Sequence, residues 1–302
     1  MKDFKKNIED FIQYIQREKN FSENTVVSYR NDLSDFVEFL KERNWEGNSL
    51  HQIDRSLLRD FLVFLKRRRL KESTIAHKVF VLRSFFKYLL RKRKILSNPA
   101  SFLSSPKRRK RLPTFLTISQ MENLLRLPPK ESFWGLRDLA ILELFYSTGM
   151  RLSELANLDL SSVDFQGEVV RVLGKGKKER IIPVGKEALT VLKNYLNLCK
   201  STFKDRSNAD GEAIFLNRSG KRLSARGIGR IVKRYATQIS EDQKTSPHTF
   251  RHTFATHLLD KGADLLAVKE LLGHESLSTT QIYTHVTTDR LKKVYEKAHP
   301  RA

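Results

Sequence analysis

The stretch SNPASFLSSPKRRKRLP, residues 97–113, most constrains how this chain can fold. It holds three prolines, four serines and five consecutive cations from Lys107 to Arg111. Proline breaks the hydrogen bonding of helix and sheet alike, and such a cluster reads as a linker. The apolar pattern differs on its two sides. The chain therefore divides into residues 1–96, a basic linker at 97–113, and residues 114–302, and a length of 302 suits two domains.

The first part reads as four helices. Phe4, Ile8, Phe11, Ile12 and Ile15 recur at helical spacing. Ser22 is placed to cap a second helix carrying Val26, Tyr29, Leu33, Phe36, Val37 and Leu40. Asp54 and Ser73 are placed to cap a third and a fourth, with Leu58, Phe61, Leu62 and Leu65 in one and Ile75, Val79, Leu82, Phe86 and Leu89 in the other. After the linker, helical patterns at 117–127 and 134–146 lead into β-type sequence. VDFQGEVVRVLG and ERIIPVG read as strands around a turn at GKGKK, AIFLN at 213–217 as a short strand, and the rest as helix. The expected fold is mainly α, with a small antiparallel sheet in the second part.

Charge narrows the function. The net charge is +23, and residues 1–112 carry 27 Lys and Arg against 13 Asp and Glu. The remaining residues are also basic, so the excess is not one tail. Such a balance points to a polyanion, double-stranded DNA before an anionic membrane. A charge run is usually a solvated face. Here it is one-sided, which makes Arg67, Arg68, Arg69, Arg83 and Lys87, with Lys107, Arg108, Arg109, Lys110 and Arg111 of the linker, candidate DNA contacts. A single cysteine, Cys199, allows no internal disulfide. The charged N-terminus lacks a signal-peptide core, and no apolar run reaches the roughly 20 residues of a membrane span. The expectation is a cytoplasmic protein.

Four stretches place reactive side chains in apolar surroundings. LFYSTGMRLSEL puts Arg151 between Met150 and Leu152. A half-buried arginine needs an anion, either a substrate or Glu154 nearby. LGKGKKERIIP holds Lys175 at a hairpin turn, where it could enter a site or hang in water; no Walker A loop occurs, which speaks against ATP. SPHTFRHTFATHLLDKG places His248 and Arg251 on one helix face. His248, His252 and His257 invite a metal, but no carboxylate or cysteine sits at ligand spacing and Arg251 would repel a cation. His252 and His257 can equally be structural. LLGHESLSTTQIYTHV carries Gly273 as a helix end, then His274, Ser278 as a cap and Tyr283.

Tyrosine on a helix is most often a packing residue. Its partners here suggest otherwise. In-line attack on a phosphodiester puts charge on the non-bridging oxygens, which two arginines can hold. Tyr283 could be the nucleophile and Lys175 the proton donor to the leaving 5′ oxygen. Ionising a tyrosine at pH 7 costs about 4 kcal/mol, so a nearby histidine is needed as base. A phosphotyrosyl link conserves the bond energy, so rejoining needs neither metal nor ATP.

At these residues the chain resembles the tyrosine recombinase (lambda-integrase-like) family, and closely its XerC/XerD branch. STGMRLSEL, GKGKKERIIPVG, PHTFRHTFATHLL and LGHESLSTTQIYTH match the family's active-site segments in order and spacing. The match covers essentially the whole chain, and the ending HPRA is nearer the XerD pattern. The resemblance implies that Arg151 is the first catalytic arginine and Lys175 the hairpin lysine, with Lys177 and Lys178 close by. His248 and Arg251 would form the H-x-x-R pair, His274 the second histidine and Tyr283 the nucleophile. It implies a two-domain C-clamp: a helical core-binding domain, the linker, and a catalytic domain whose last helix, about 287–298, docks on a neighbouring protomer. Four protomers, alike or shared with a sister Xer recombinase, would recombine a specific DNA site through a 3′-phosphotyrosyl intermediate and a Holliday junction. Chromosome dimers at a dif-type site would be the target, with FtsK as activator. The alternatives are an integrase or transposon-type recombinase and a type IB topoisomerase.

Overall fold

The computed structural model describes residues 2–45, 50–104, 115–174, 179–203, 212–239, 246–273 and 285–302. They fall into two compact units, Met1–Arg111 and Leu112–Ala302.

The first unit contains α1 (Lys2–Arg17), α2 (Glu23–Glu42), α3 (Arg55–Arg67) and α4 (Glu72–Arg91), as the apolar spacing predicts. Ser22 caps α2, accepting from Thr25 N, and Asp54 caps α3 at 2.8 Å from Leu57 N. Ser73 does not cap α4. That helix starts earlier, and extended Lys71 fills the cap position with its carbonyl accepting from Ile75 N at 3.1 Å. The core is aromatic. Phe4 meets Phe85 edge-on at 5.7 Å, and Phe36 meets Phe61 at 4.9 Å. Edge contacts of this kind add about 0.5–1.5 kcal/mol beyond burial. Lys78 is buried between helices, 2.6 Å from Asp32 and 2.5 Å from Asp35 of α2, while His77 Nδ1 lies 2.6 Å from the other Asp32 oxygen. Within the stretch that reads as linker, residues 97–104 turn back onto this unit. Ala100 and Leu103 are buried, and both their carbonyls accept from Arg83.

The second unit is built on α6 (Phe133–Thr148), buried on every side from Gly135 to Thr148. An all-round buried helix is the expected centre of a layered core. Around it lie α5 (Ile118–Arg126), α7 (Leu152–Ala156), α8 (Lys186–Thr202), α9 (Ala225–Ile239), α10 (Pro247–Asp260), α11 (Leu265–Leu272) and α12 (His285–Ala298). A three-stranded antiparallel sheet contains β1 (Val163–Asp164), β2 (Val169–Leu173) and β3 (Glu179–Pro183), with Val170 opposite Ile182 and Val172 opposite Arg180. Residues 213–217 form isolated bridges, Asp159 to Ala213 and Leu216 to Arg222, rather than the strand expected. The run is cut short by a turn in which Asn217 Oδ1 accepts from Ser219 N and Lys221 N.

In the single chain α12 packs on its own unit, with Leu291, Tyr295 and Ala298 in the core. The chain end follows it inward. His299 stacks on Tyr295 at 4.7 Å, and Arg301 bonds Glu143 at 2.5 Å and also pairs with Glu187. A Cβ on Gly185 would stand 1.8 Å from the Arg301 carbonyl oxygen, so glycine is required there. No described helix is long and apolar enough to cross a membrane.

Candidate active site

The site begins where α6 stops. Gly149 takes a left-handed conformation, φ +56°, and a Cβ there would lie 2.3 Å from the Phe254 ring. Glycine meets both demands at no steric cost. The chain then buries Met150 and extends at Arg151, the cap residue of α7. Glu154 reaches back to it, accepting from Arg151 N at 2.6 Å and Nη1 at 2.9 Å. Arg151 Nη2 donates to the Gly273 carbonyl at 3.0 Å.

Proline at its first turn opens α10, with His248 exposed and Arg251 half-buried one turn later. Arg251 Nη1 donates to the Gly149 carbonyl at 2.7 Å and Nη2 to the Leu272 carbonyl. The spacing of α10 also sends Thr253 and His257 inward. Thr253 Oγ1 accepts from Leu116 N, and His257 lies between the Tyr146 hydroxyl and the Leu116 carbonyl at 2.8 and 2.9 Å. His257 is thus structural, and burial lowers its pKa. His252 lies against the Phe115 ring, away from any ligand set.

A third arginine, absent from the sequence-based candidates, completes the cluster. Arg180 of β3 is buried, gives two hydrogen bonds to Glu154 at 2.8 and 2.7 Å, and donates from Nε to the Leu271 carbonyl at 3.2 Å. The signal was present in β3: alternation puts Arg180 on the inward face with Ile182. Three successive carbonyls at the end of α11, those of Leu271, Leu272 and Gly273, therefore each accept from a different arginine. Helix C-termini leave such carbonyls unpaired and carry partial negative charge.

Glu154 pairs with two of the three guanidiniums, Arg151 and Arg180, while Arg251 is held by carbonyls alone, so the cluster is positive. Burial would raise the Glu154 pKa, but hydrogen bonds and charge from Arg180, then from Arg151, hold it down at about 2. Burial, then the charges of Arg151 and Arg180, push Arg251 down to about 10. It stays protonated at neutral pH. The arrangement is chemically suited to an anion, with two guanidiniums, Arg151 and Arg251, only half-buried. Lys175, His274, Tyr283 and the cations from Lys107 to Arg111 lie outside the described residues, as does Ser278. Among the described residues, no group of three His, Cys, Asp or Glu is placed to hold a metal ion.

On the first unit Arg67, Arg69 and Lys87 are exposed. Arg68 is exposed but committed, 3.1 Å from Glu38 and Glu42 and 4.3 Å above the Phe64 ring. Arg83 is half-buried and occupied by the Ala100 and Leu103 carbonyls.

A family model described as "Phage integrase family" matches residues 114–290. The chain belongs to the phage integrase family. A second model, for the N-terminal SAM-like domain of phage integrases, matches residues 8–93. Tyrosine recombinase XerC of Natranaerobius thermophilus is 44% identical over 295 residues, 97% of this chain and 98% of that one. Tyrosine recombinase XerD of Halalkalibacterium halodurans is 41% identical, over 98% of both chains. This phage integrase family member is accordingly a site-specific tyrosine recombinase of the XerC/XerD branch. Both arm names occur at nearly the same identity, so the lean toward XerD is unresolved. Among solved structures, XerH recombinase bound to its difH substrate before cleavage shares 25% identity at a TM-score of 0.64, covering 95% of this chain and 82% of that one. The Tn1549 transposon integrase with transposon end DNA shares the fold at a TM-score of 0.68 and 22% identity, covering 96% and 98%.

Proposed function

We propose that this recombinase cuts and rejoins a dif-type DNA site through a 3′-phosphotyrosyl link to Tyr283, and so resolves chromosome dimers. The observation that carries the reading is the pair Arg151 and Arg251, half-exposed at one positive cluster. Guanidiniums so placed suit the two non-bridging oxygens of a phosphodiester. The Tyr283 oxygen attacks phosphorus and its proton passes to a histidine, His248 or His274. The P–O5′ bond breaks, and the 5′ oxygen takes a proton from Lys175. The reverse attack by a 5′ hydroxyl of another strand restores the backbone and frees Tyr283.

Because the phosphotyrosyl ester keeps the phosphodiester's energy, this cycle calls for no metal and no nucleotide. Four protomers would act together, alike or with a sister recombinase, under an activator such as the FtsK translocase, in the cytoplasm. The XerC and XerD names of full-length relatives support this assignment. The exposed cations Arg67, Arg69 and Lys87, with Lys107 to Arg111, would add phosphate contacts along the duplex.

The test is Tyr283→Phe on a nicked suicide duplex carrying the protein's own site, selected from random DNA. The variant should bind like wild type and give no covalent adduct. An adduct at normal yield removes Tyr283 as nucleophile. A plasmid with two sites separates recombination, which deletes the interval, from topoisomerase action, which only relaxes it.

A further inference from the structure

We propose that Arg180 is a positioning residue for cleavage: it offsets the charge of Glu154 so that Arg151 faces the phosphate as a full cation. The inference rests on the phosphate-binding role of Arg151 given above.

Arg180 stands where β3 calls for an apolar side chain, opposite Val172 and beside the core. A buried arginine is costly unless well paired. Its Nε, Nη1 and Nη2 are all committed, to Leu271 and to both oxygens of Glu154. Its side chain is 5% exposed, against 38% for Arg151. Arg180 therefore does not reach DNA; Arg151 does. Gly273 lies against it closely, since a Cβ there would stand 3.0–3.2 Å from Arg180 side-chain atoms.

Glu154 alone with Arg151 would form a neutral pair, with a carboxylate next to the incoming phosphate. Sharing Glu154 between two guanidiniums leaves the trio with one net positive charge. The bidentate grip from behind also fixes the carboxylate plane. Its oxygens then meet Arg151 N and Nη1, and Arg151 Nη2 is held by Gly273. A mere fold staple between β3, α7 and α11 would need the same contacts, but its loss would not depend on the charge of Glu154.

The experiment compares Arg180→Gln, Arg180→Lys and the double variant Arg180→Gln with Glu154→Gln on the nicked duplex, below every melting transition. At saturating DNA, Arg180→Gln should slow adduct formation about 100-fold with little change in Kd, the size expected for a mispositioned transition-state donor. The double variant should recover at least about tenfold of that loss, and Arg180→Lys should stay within about tenfold of wild type. The rate of Arg180→Gln relative to wild type should also climb as pH is lowered, because protonating Glu154 has the effect of the second substitution. Wild-type rates in Arg180→Gln, or a double variant no faster than the single with a flat pH ratio, overturn the inference alone. If Arg180→Gln does not fold, adduct formation by both Arg180→Lys and the double variant supports the inference, and loss in the double variant overturns it. A wild-type protein that forms no adduct overturns the phosphotyrosyl reading and this inference with it.

Discussion

The Tyr295 hydroxyl lies 2.7 Å from Ser147 Oγ in the interior of the second unit, and Ser147 Oγ also accepts from Gly185 N at 2.8 Å. The last helix is thereby tied to α6, which ends three residues before Arg151. Burial raises the Tyr295 pKa, so the tie stays neutral across the ordinary pH range. Tyr295→Phe removes one buried bond and leaves Ser147 with its Gly185 partner. It should cost about 1–2 kcal/mol, read as a lower urea midpoint at unchanged m-value.

Gly149→Ala should be more damaging. The left-handed backbone and the Phe254 ring both oppose a Cβ. Strain and displacement together should cost about 2–4 kcal/mol. The shift also moves the carbonyl that holds Arg251, so cleavage should fall even where the variant remains folded. A unchanged midpoint in urea would contradict the packing described.

Glu143 should set a pH limit on the tucked chain end. Burial raises its pKa to about 7, with Arg301 opposing the shift. A carboxyl raised in the folded state contributes stability fully below its unfolded pKa of 4.5 and loses it as pH rises through about 7. Glu143→Gln stays neutral throughout. Its stability relative to wild type should therefore grow from about pH 5 to about pH 8, by up to about 3 kcal/mol. Melting curves at several pH values check the sign, and a difference that shrinks with pH would refute it.

In the first unit, Lys78→Met removes the cation shared by Asp32 and Asp35 and leaves buried Asp32 with His77 alone. Removing one side of a buried pair typically costs about 3–5 kcal/mol. Adding Asp32→Asn should return part of it. Thermal melts of the single and double variants give the comparison.

DNA binding should separate exposed from committed cations. Replacing Arg67, Arg69 and Lys87 by glutamine should flatten the dependence of log K on log salt by up to about three phosphate contacts. Arg83→Gln should leave that slope alone and lower stability, because its donors hold the Ala100 and Leu103 carbonyls. An equal change in slope for both would refute the distinction.

Much of this was legible in the residues. The 3.6-residue recurrence from Phe4 to Leu89 gave four helices, because each buries one apolar stripe. Gly149 and Gly273 announced helix ends, and both adopt positive φ. What escaped reading were side chains whose role depends on distant partners. Arg83 and Arg68 looked like their neighbours in a cationic run, yet one is taken by main chain 17 and 20 residues on and the other by two glutamates of α2. Arg180 follows a basic turn and was not among the candidates; its place opposite Val172, on the inward face of β3 with Ile182, turns it toward Glu154. The cap of α4 moved from Ser73 to Lys71 because backbone geometry at a helix start does not require a side-chain acceptor.

The three carbonyls at the end of α11 have one more consequence. Like charges crowded together would ordinarily splay apart or collect counterions until a ligand arrived. Here Arg151, Arg180 and Arg251 are moored to the negative pole of a helix, so their spacing is settled before any DNA is met. On the phosphodiester reading proposed above, backbone oxygens act as a mould for the anion, and an entering phosphate would meet arginines already set in place.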